Sequence, residues 1–200
     1  LETGIELAEE LAAGGAGLIG LGDMGIGNTA TSSAVTAALL GRDPEGLIGR
    51  GTGVDDAGLQ TKLGAVRRAL AVNAPDPADP IGVLAAVGGF ELGVLAGLAL
   101  GAAAEGVPAV LDGFVVGAAA LLAARLAPVA TGAMIASHLS PEPAHAVVLA
   151  ELGLAPLLDL RMRLGEASGA ALGVQLVQTS LTVLRDMSTF ADAGVTDAGA

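Results

Sequence analysis

Residues 22–29, GDMGIGNT, form a glycine-rich loop that follows the apolar run 16–21 and precedes a small-residue segment with helical spacing. Glycines leave the backbone amides of such a loop unobstructed, and the next helix directs its positive end towards whatever lies there. The pattern is neither a Walker loop nor a clean GxGxxG. Taken alone, it is equally compatible with an anion-binding loop and with a tight structural turn.

Short apolar runs alternate with amphipathic segments on both sides of this loop. The runs predict strands at 18–21, 108–111 and 133–136, while residues 156–160 fit either a strand or a turn. This alternation is typical of a parallel sheet covered by helices on both faces. We therefore expect one α/β domain over residues 1–200, with room for a small helical appendage. Helices are predicted at 5–13, 31–40, 81–87, 92–104, 114–126 and 140–153, with two more ending near residues 72 and 187.

Polar side chains follow the predicted strands at the points where these end. Asp23 follows the first strand, Asp112 the second, and Ser137 and His138 the third. The carboxyl ends of parallel strands meet at one edge of a sheet, which is where ligands bind in open α/β folds. We therefore expect a binding site at this edge.

The composition excludes several classes of protein. The chain is 52% hydrophobic with a mean hydropathy of +0.69. Its uncharged runs nevertheless fall short of the roughly 20 apolar residues that span a bilayer, so we expect no membrane partner. A net charge of −12, with 9 basic residues scattered among 21 acidic ones, disfavours nucleic acid. The absence of cysteine excludes disulfides and thiolate metal sites.

The first residues bear on the location of the protein. They are rich in glutamate and carry no pattern of a secretory leader, which predicts the cytoplasm. The chain also begins without methionine and inside a predicted helix, so we expect it to be part of a longer protein.

Several further residues each have a functional and a structural interpretation. The GRGTG loop at 49–53 is either a second ligand loop or a flexible connection, and Lys62 is either a phosphate ligand or a surface charge. Glu166 and Glu91 each follow glycines before a helix. Either glutamate could simply favour the helix N-terminus, and an apolar pocket would instead make it a general base near neutral pH. The two histidines match no metal-ligand spacing, so no metal is expected.

Considered together, six segments are much more specific than any one. They are GDMGIGNT at 22–29, GRGTGVDDAG at 49–58, AAVGGFE at 85–91, DGF at 112–114, ASH at 136–138 and LGE at 164–166. In this order they resemble the nicotinate-nucleotide:dimethylbenzimidazole phosphoribosyltransferase family of cobalamin nucleotide-loop assembly. The resemblance covers nearly the whole chain but only the C-terminal part of the family's usual length. It implies a Rossmann-like α/β domain, a homodimer and no metal or other cofactor.

The resemblance also implies an activity. It is the transfer of phosphoribose from nicotinate mononucleotide to 5,6-dimethylbenzimidazole, giving α-ribazole 5′-phosphate and nicotinate. Glu166 would be the general base. Met24 and Leu164 would line the apolar pocket for the dimethylbenzimidazole. The phosphate would be held by backbone amides and one lysine, and five polar or small residues would make further substrate contacts. The phosphate group of residues is Gly25, Gly27, Asn28 and Lys62, and the further contacts are Asp23, Asp112, Gly113, Ser137 and His138.

Two departures from the family pattern are visible. Asp23 stands where the family often carries glutamate, so its carboxylate is one methylene shorter. The family's N-terminal segment, which supplies contacts to the benzimidazole and part of a smaller helical domain, is missing here. The alternative expectation is therefore a non-catalytic nucleotide-binding or dimerisation module of the same fold.

Overall fold

The computed structural model describes residues 1–195 and contains a small parallel sheet surrounded by helices. Its strands are β1 (Ile19–Leu21), β2 (Ala109–Leu111) and β3 (Met134–Ala136). Its helices are α1 (Glu2–Ala13), α2 (Asn28–Leu40), α3 (Asp56–Asn73), α4 (Pro80–Val87), α5 (Phe90–Ala104), α6 (Phe114–Leu126), α7 (Pro143–Leu152) and α8 (Ser168–Asp186). Short 3-10 helices occupy Pro44–Leu47 and Pro128–Ala133. This confirms the predicted α/β class.

The three strands are parallel and lie in the order β1-β2-β3. Leu21 pairs with Leu111, which in turn pairs with Ala136, so the strands end level with one another. Beyond β3 the chain makes one further parallel bridge, between His138 and Leu158. The segment after α7 therefore adds a single bridge to the edge of the sheet. Residues 156–160, predicted as either a strand or a turn, contribute this one bridge at Leu158 and no longer strand.

Helices cover both faces of this sheet, as the continuous apolar strands predict. Helices α5 and α6 contact β2 on one side, where Leu21 and Leu111 join the main hydrophobic core. Helix α8 contacts β1 and β2 on the other side. It approaches so closely that a Cβ at Gly173 would lie 2.9 Å from a Val110 methyl. Small residues on α8 therefore set the spacing on that face.

Some predicted boundaries were wrong. Helix α2 begins at Asn28 rather than 31, because Gly27 adopts a left-handed φ of +96° and ends the loop there. Helix α7 begins at Pro143 rather than 140, and proline is favoured in a first helical turn. The 3-10 helix at Pro44–Leu47 was not predicted from the sequence. Among residues 1–195, no helix combines the length and apolar character needed to cross a bilayer.

Candidate active site

A cavity of about 250 Å³ opens at the carboxyl ends of the three strands. Its lining comes from the loop after β1, the loop after β2, the segment after β3 and the segment that leads into α8. This is the edge of the sheet where a ligand was expected. The sequence-predicted residues in its lining are Asp23, Met24, Gly25, Asp112, Gly113, His138, Leu164 and Glu166.

The loop after β1 delivers the start of α2 to the cavity. Thr29, in the first turn of α2, lines the cavity together with Gly25. No side chain caps this helix N-terminus, and its positive end favours an anion. The Asn28 amide instead donates to Asp23 Oδ1 at 2.7 Å, inside the loop. This bond fixes the shape of the loop.

Asp23 is a half-buried carboxylate with a perturbed titration. Burial raises the pKa of Asp23, and the charges of Glu91 and Asp112 raise it further, whereas the hydrogen bond from Asn28 opposes them. Glu91 itself is exposed in the first turn of α5 and is absent from the cavity lining. The structure therefore places Glu91 as a helix-start carboxylate that acts on the site only through its charge.

The Glu166 loop is tied directly to the loop after β1. The Glu166 N–H donates to the Asp23 carbonyl at 3.0 Å, and a Cβ at Gly22 would lie 2.3 Å from the Ala167 Cβ. Gly165, Glu166 and Ala167 all have positive φ, at 79°, 57° and 62°. For the two non-glycine residues this conformation costs about 1–2 kcal/mol each, and such strain clusters at functional sites.

The Glu166 side chain lines the cavity but is exposed at its mouth. The enclosed apolar setting considered from the sequence is therefore not formed within residues 1–195. The physical reason is that the apolar side chains beside Glu166 in the cavity lining are also open to solvent. We call these side chains, Met24, Ile26 and Leu164, the apolar rim of the cavity. Their exposed fractions are 98% for Ile26, 77% for Met24 and 73% for Leu164.

A buried carboxylate anchors α8 to the sheet. Asp112 Oδ1 accepts the N–H groups of Gly169 at 2.7 Å and Ala170 at 3.1 Å, in the first turn of α8. His138 Nε2 lies 3.5 Å from the same oxygen. Burial would raise the pKa of Asp112, but the hydrogen bonds from His138, Ala170 and Gly169 outweigh it and hold the pKa below its ordinary value. Asp112 is thus ionised and sets the position of the helix that follows Glu166.

A model of the phosphoribosyltransferase family matches residues 1–195. The chain belongs to this family. It is 57% identical to the nicotinate-nucleotide–dimethylbenzimidazole phosphoribosyltransferase of Desulforudis audaxviator, over 99% of this chain and 56% of that protein. The protein of the same name from Salinispora tropica is 54% identical over 98% of this chain and 54% of its own length. The chain thus spans about half the length of the curated relatives that it matches.

A solved structure gives the same relationship. The crystal structure of CobT from Thermus thermophilus matches with a TM-score of 0.92 and 49% sequence identity. The match covers 98% of this chain and 58% of that chain. The fold of residues 1–195 is therefore the fold of the corresponding part of a phosphoribosyltransferase.

Four predicted site residues lie outside the cavity lining, namely Gly27, Asn28, Lys62 and Ser137. Gly27 and Asn28 end the loop and begin α2. Ser137 is fully buried, and its hydroxyl donates to the Leu111 carbonyl at 2.6 Å, between β2 and β3. Lys62 lies behind the lining. Its Nζ donates to Thr29 Oγ1 and to the Gly49 carbonyl, both at 2.8 Å.

The electrostatic state of Lys62 reflects this half-buried position. Burial lowers the pKa of Lys62, and the negative charge of Glu142 partly restores it. An ammonium has three donors, and the two observed bonds use two of them. Because Thr29 lines the cavity, its hydroxyl stands between the Lys62 ammonium and the cavity.

Sequence reasoning missed several residues of the lining. Gly51 and Thr52 line the cavity, so the GRGTG loop is part of the site rather than a distant connection. Glu142 and Arg163 also line it, although no motif pointed to them. The only available signal was their position next to segments already noted, ASH at 136–138 and LGE at 164–166.

The second histidine is structural. His145 is 1% exposed, and its Nδ1 accepts the Ser140 N–H at 2.9 Å. Burial lowers its pKa to about 4, and the nearby His138 adds to this effect. Within residues 1–195 there is no group of three or more side chains suited to a metal ion.

Proposed function

We propose that this chain carries the reaction centre of a nicotinate-nucleotide:dimethylbenzimidazole phosphoribosyltransferase. The reaction transfers phosphoribose from nicotinate mononucleotide to 5,6-dimethylbenzimidazole. One observation carries the proposal. Glu166 and the glycine loop lie far apart in the sequence, yet the 3.0 Å hydrogen bond between Glu166 and Asp23 joins them and both line one cavity. The names of the relatives supply the substrates.

The nucleotide phosphate is assigned to the start of α2. Gly25 and Thr29 face the cavity there, and Lys62 stands directly behind Thr29. One ammonium at 4 Å from a unit negative charge is worth roughly 4 kcal/mol at an effective dielectric constant near 20. The helix end adds about 0.3–1 kcal/mol. These local terms oppose the negative charge of the protein, whose longer-range part is screened by salt.

Glu166 is assigned the proton transfer. A ring nitrogen of the benzimidazole attacks the anomeric carbon of the ribose, the bond from that carbon to the nicotinate nitrogen breaks, and the electron pair leaves with nicotinate. As this attack proceeds, the Glu166 carboxylate takes the proton from the other ring nitrogen, which makes the attacking nitrogen more nucleophilic. Attack opposite the leaving group inverts the anomeric carbon, which gives the α-configured product.

The dimethylbenzimidazole is assigned to the apolar rim of the cavity, and the functional unit is assigned to a homodimer. Met24 and Leu164 offer apolar surface beside Glu166, yet both are largely exposed. Exposed apolar side chains grouped at a site mark an interaction surface. In the proposed dimer the partner subunit covers this rim, including Ile26, and excludes water from the dimethylbenzimidazole. Sedimentation of the protein tests this directly, and a monomer at assay concentrations would reject it.

The proposed function is tested by incubating the protein with nicotinate mononucleotide and dimethylbenzimidazole and separating the products chromatographically. We expect equal amounts of α-ribazole 5′-phosphate and nicotinate. The experiment uses this chain and, in parallel, a chain extended to the length of its relatives. If neither chain forms the product, the proposed function is wrong.

One observation favours a second candidate, a nucleotide-binding or dimerisation module without turnover. Among the described residues, the Glu166 side chain is exposed rather than enclosed. This candidate predicts that the 200-residue chain binds nicotinate mononucleotide and forms no product, while the extended chain does both. Equal rates for the two chains would reject it.

A further inference from the structure

The GRGTG loop is held against the cavity by a residue far away in the sequence. The Gly51 N–H donates to Glu142 Oε1 at 2.9 Å. Glu142 is the N-cap residue of α7 but makes no side-chain cap bond to its own helix. Its carboxylate is directed to the loop. Glu142 therefore connects the segment after β3 to the loop before α3.

The second carboxylate oxygen shows how closely the loop is packed on Glu142. Oε2 is buried and has no hydrogen-bond partner among the described residues. A Cβ at Gly49 would lie 2.1 Å from this oxygen. Only the absence of a side chain at Gly49 leaves room for the carboxylate. Leaving a carboxylate oxygen buried and unpaired costs free energy. The hydrogen bond from the Gly51 N–H to Oε1 has to offset this cost.

The same loop meets the site on its other sides. The Gly51 carbonyl accepts from Arg163 Nη2 at 3.1 Å, and Arg163 directly precedes the LGE segment. The Gly49 carbonyl accepts from Lys62 Nζ at 2.8 Å. Gly51 is thus held through its N–H by Glu142 and through its carbonyl by Arg163. Lys62, assigned above to the phosphate, is held by the same loop.

We propose that Glu142 is a positioning residue, whose Oε1 atom holds the GRGTG loop, and with it Lys62, in place for the nucleotide. Glu142 acts through the Gly51 N–H and takes no proton in the reaction. This inference rests on the proposed function, because it assigns the loop and Lys62 to the nucleotide end of the cavity. It extends that function to a residue that neither the six segments nor the strand ends had indicated.

Three substitutions separate the reach of the acceptor oxygen from its charge. Glu142→Ala removes both, Glu142→Asp keeps the charge but withdraws the oxygen by one methylene, and Glu142→Gln keeps an oxygen at the same reach without the charge. We expect nicotinate mononucleotide to bind at least about tenfold more weakly to the Ala and Asp variants, which is about 1.4 kcal/mol. The Gln variant should stay within about threefold of the wild type. Calorimetric titration measures these affinities.

Kinetics in a chain extended to the length of the relatives supply a readout that a loss of folding would not mimic. The KM for the nucleotide should rise in the Ala and Asp variants, while kcat and the KM for dimethylbenzimidazole stay within about threefold of the wild-type values. Glu105→Ala is the matched control, since Glu105 is exposed at the end of α5 and distant from the loop in sequence.

The outcomes distinguish this inference from the proposed function. If the wild type does not bind the nucleotide, the proposed function fails. If the wild type binds and Glu142→Asp binds equally well, the inference is wrong. It is also wrong if Glu142→Gln loses as much affinity as Glu142→Ala, because the charge rather than the placed oxygen would then be responsible.

Discussion

Removal of the Asp112 carboxylate tests how the site is fastened to the sheet. Asp112 is 2% exposed, and one of its oxygens accepts two N–H groups from the first turn of α8 while facing His138. Asp112→Ala leaves these groups buried without a partner. Breaking a buried charged pair on one side costs about 3–5 kcal/mol, and we expect a loss of that size.

Asp112→Asn is the graded variant. Its amide oxygen can still accept the N–H groups of Gly169 and Ala170, but without the charge. Hydrogen bonds to a charged group contribute about 1.5–3 kcal/mol, against about 0.5–1.5 for neutral ones. For two bonds, the Asn variant should therefore lose about 2 kcal/mol, less than the Ala variant.

Urea unfolding followed by far-ultraviolet circular dichroism measures both losses. The pH dependence supplies a second check. Because the pKa of Asp112 is held below its ordinary value of 3.8, its stabilisation is fully present above pH 3.8 and is lost as the pH falls through the lower, folded-state value. The advantage of the wild type over Asp112→Asn should thus shrink as the pH falls below 3.8. A loss under 1 kcal/mol for Asp112→Ala would refute the anchoring role.

Three further predictions concern other parts of the same assembly. Gly169→Ala should cost about 3 kcal/mol in the same unfolding assay, because the added Cβ would lie 2.0 Å from a ring carbon of His138, whereas the control Gly64→Ala meets nothing within 4 Å and should be neutral or slightly stabilising; equal effects would contradict the close approach of α8. The pKa of His145 is lowered from 6.5 to about 4 in the folded protein, so as the pH falls this histidine is protonated in the unfolded chain before it is protonated in the folded one. The free energy of unfolding of the wild type should therefore decrease by about 3 kcal/mol as the pH falls from 6.5 to 4. A His145→Gln variant with the same pH profile would show that this histidine is not responsible. Lys62→Ala should weaken the binding of nicotinate mononucleotide at least tenfold at low salt, since the ammonium supplies the largest local attraction for phosphate, and unchanged affinity in calorimetry would remove Lys62 from the site.

Much of the fold follows from local pattern. The α6 bounds were predicted correctly at Phe114–Leu126, and the three strands were each placed to within one residue. Continuous apolar runs leave few alternatives to a buried parallel strand. The errors fell where local rules compete. Asn28 and Thr29 read as loop residues, yet the left-handed Gly27 allows α2 to begin at Asn28.

The site was predictable where it follows strand ends and less so elsewhere. Asp23, Asp112 and His138 meet because parallel strands end level, and this follows from topology alone. Glu142 and Gly51 are 91 residues apart, and nothing in either local sequence records their contact. The solvent exposure of Glu166 could not be read from its neighbours either, because exposure depends on which distant segments pack over a residue, and within residues 1–195 none covers this side chain. The homodimer, the cytoplasmic location and the roles of individual site residues stay predictions.

The central claim is that Glu166 takes the proton from the attacking base. The most direct measurement compares wild type and Glu166→Gln, in a chain extended to the length of the relatives, for both nucleotide binding and formation of α-ribazole 5′-phosphate. Glutamine keeps the size of the side chain and removes its basicity, and Glu105→Gln serves as the exposed control. We predict that Glu166→Gln binds nicotinate mononucleotide like the wild type and forms less than a hundredth of the product, within the range of about 10²–10⁴ that general base catalysis contributes. Product formation at the wild-type rate would contradict it.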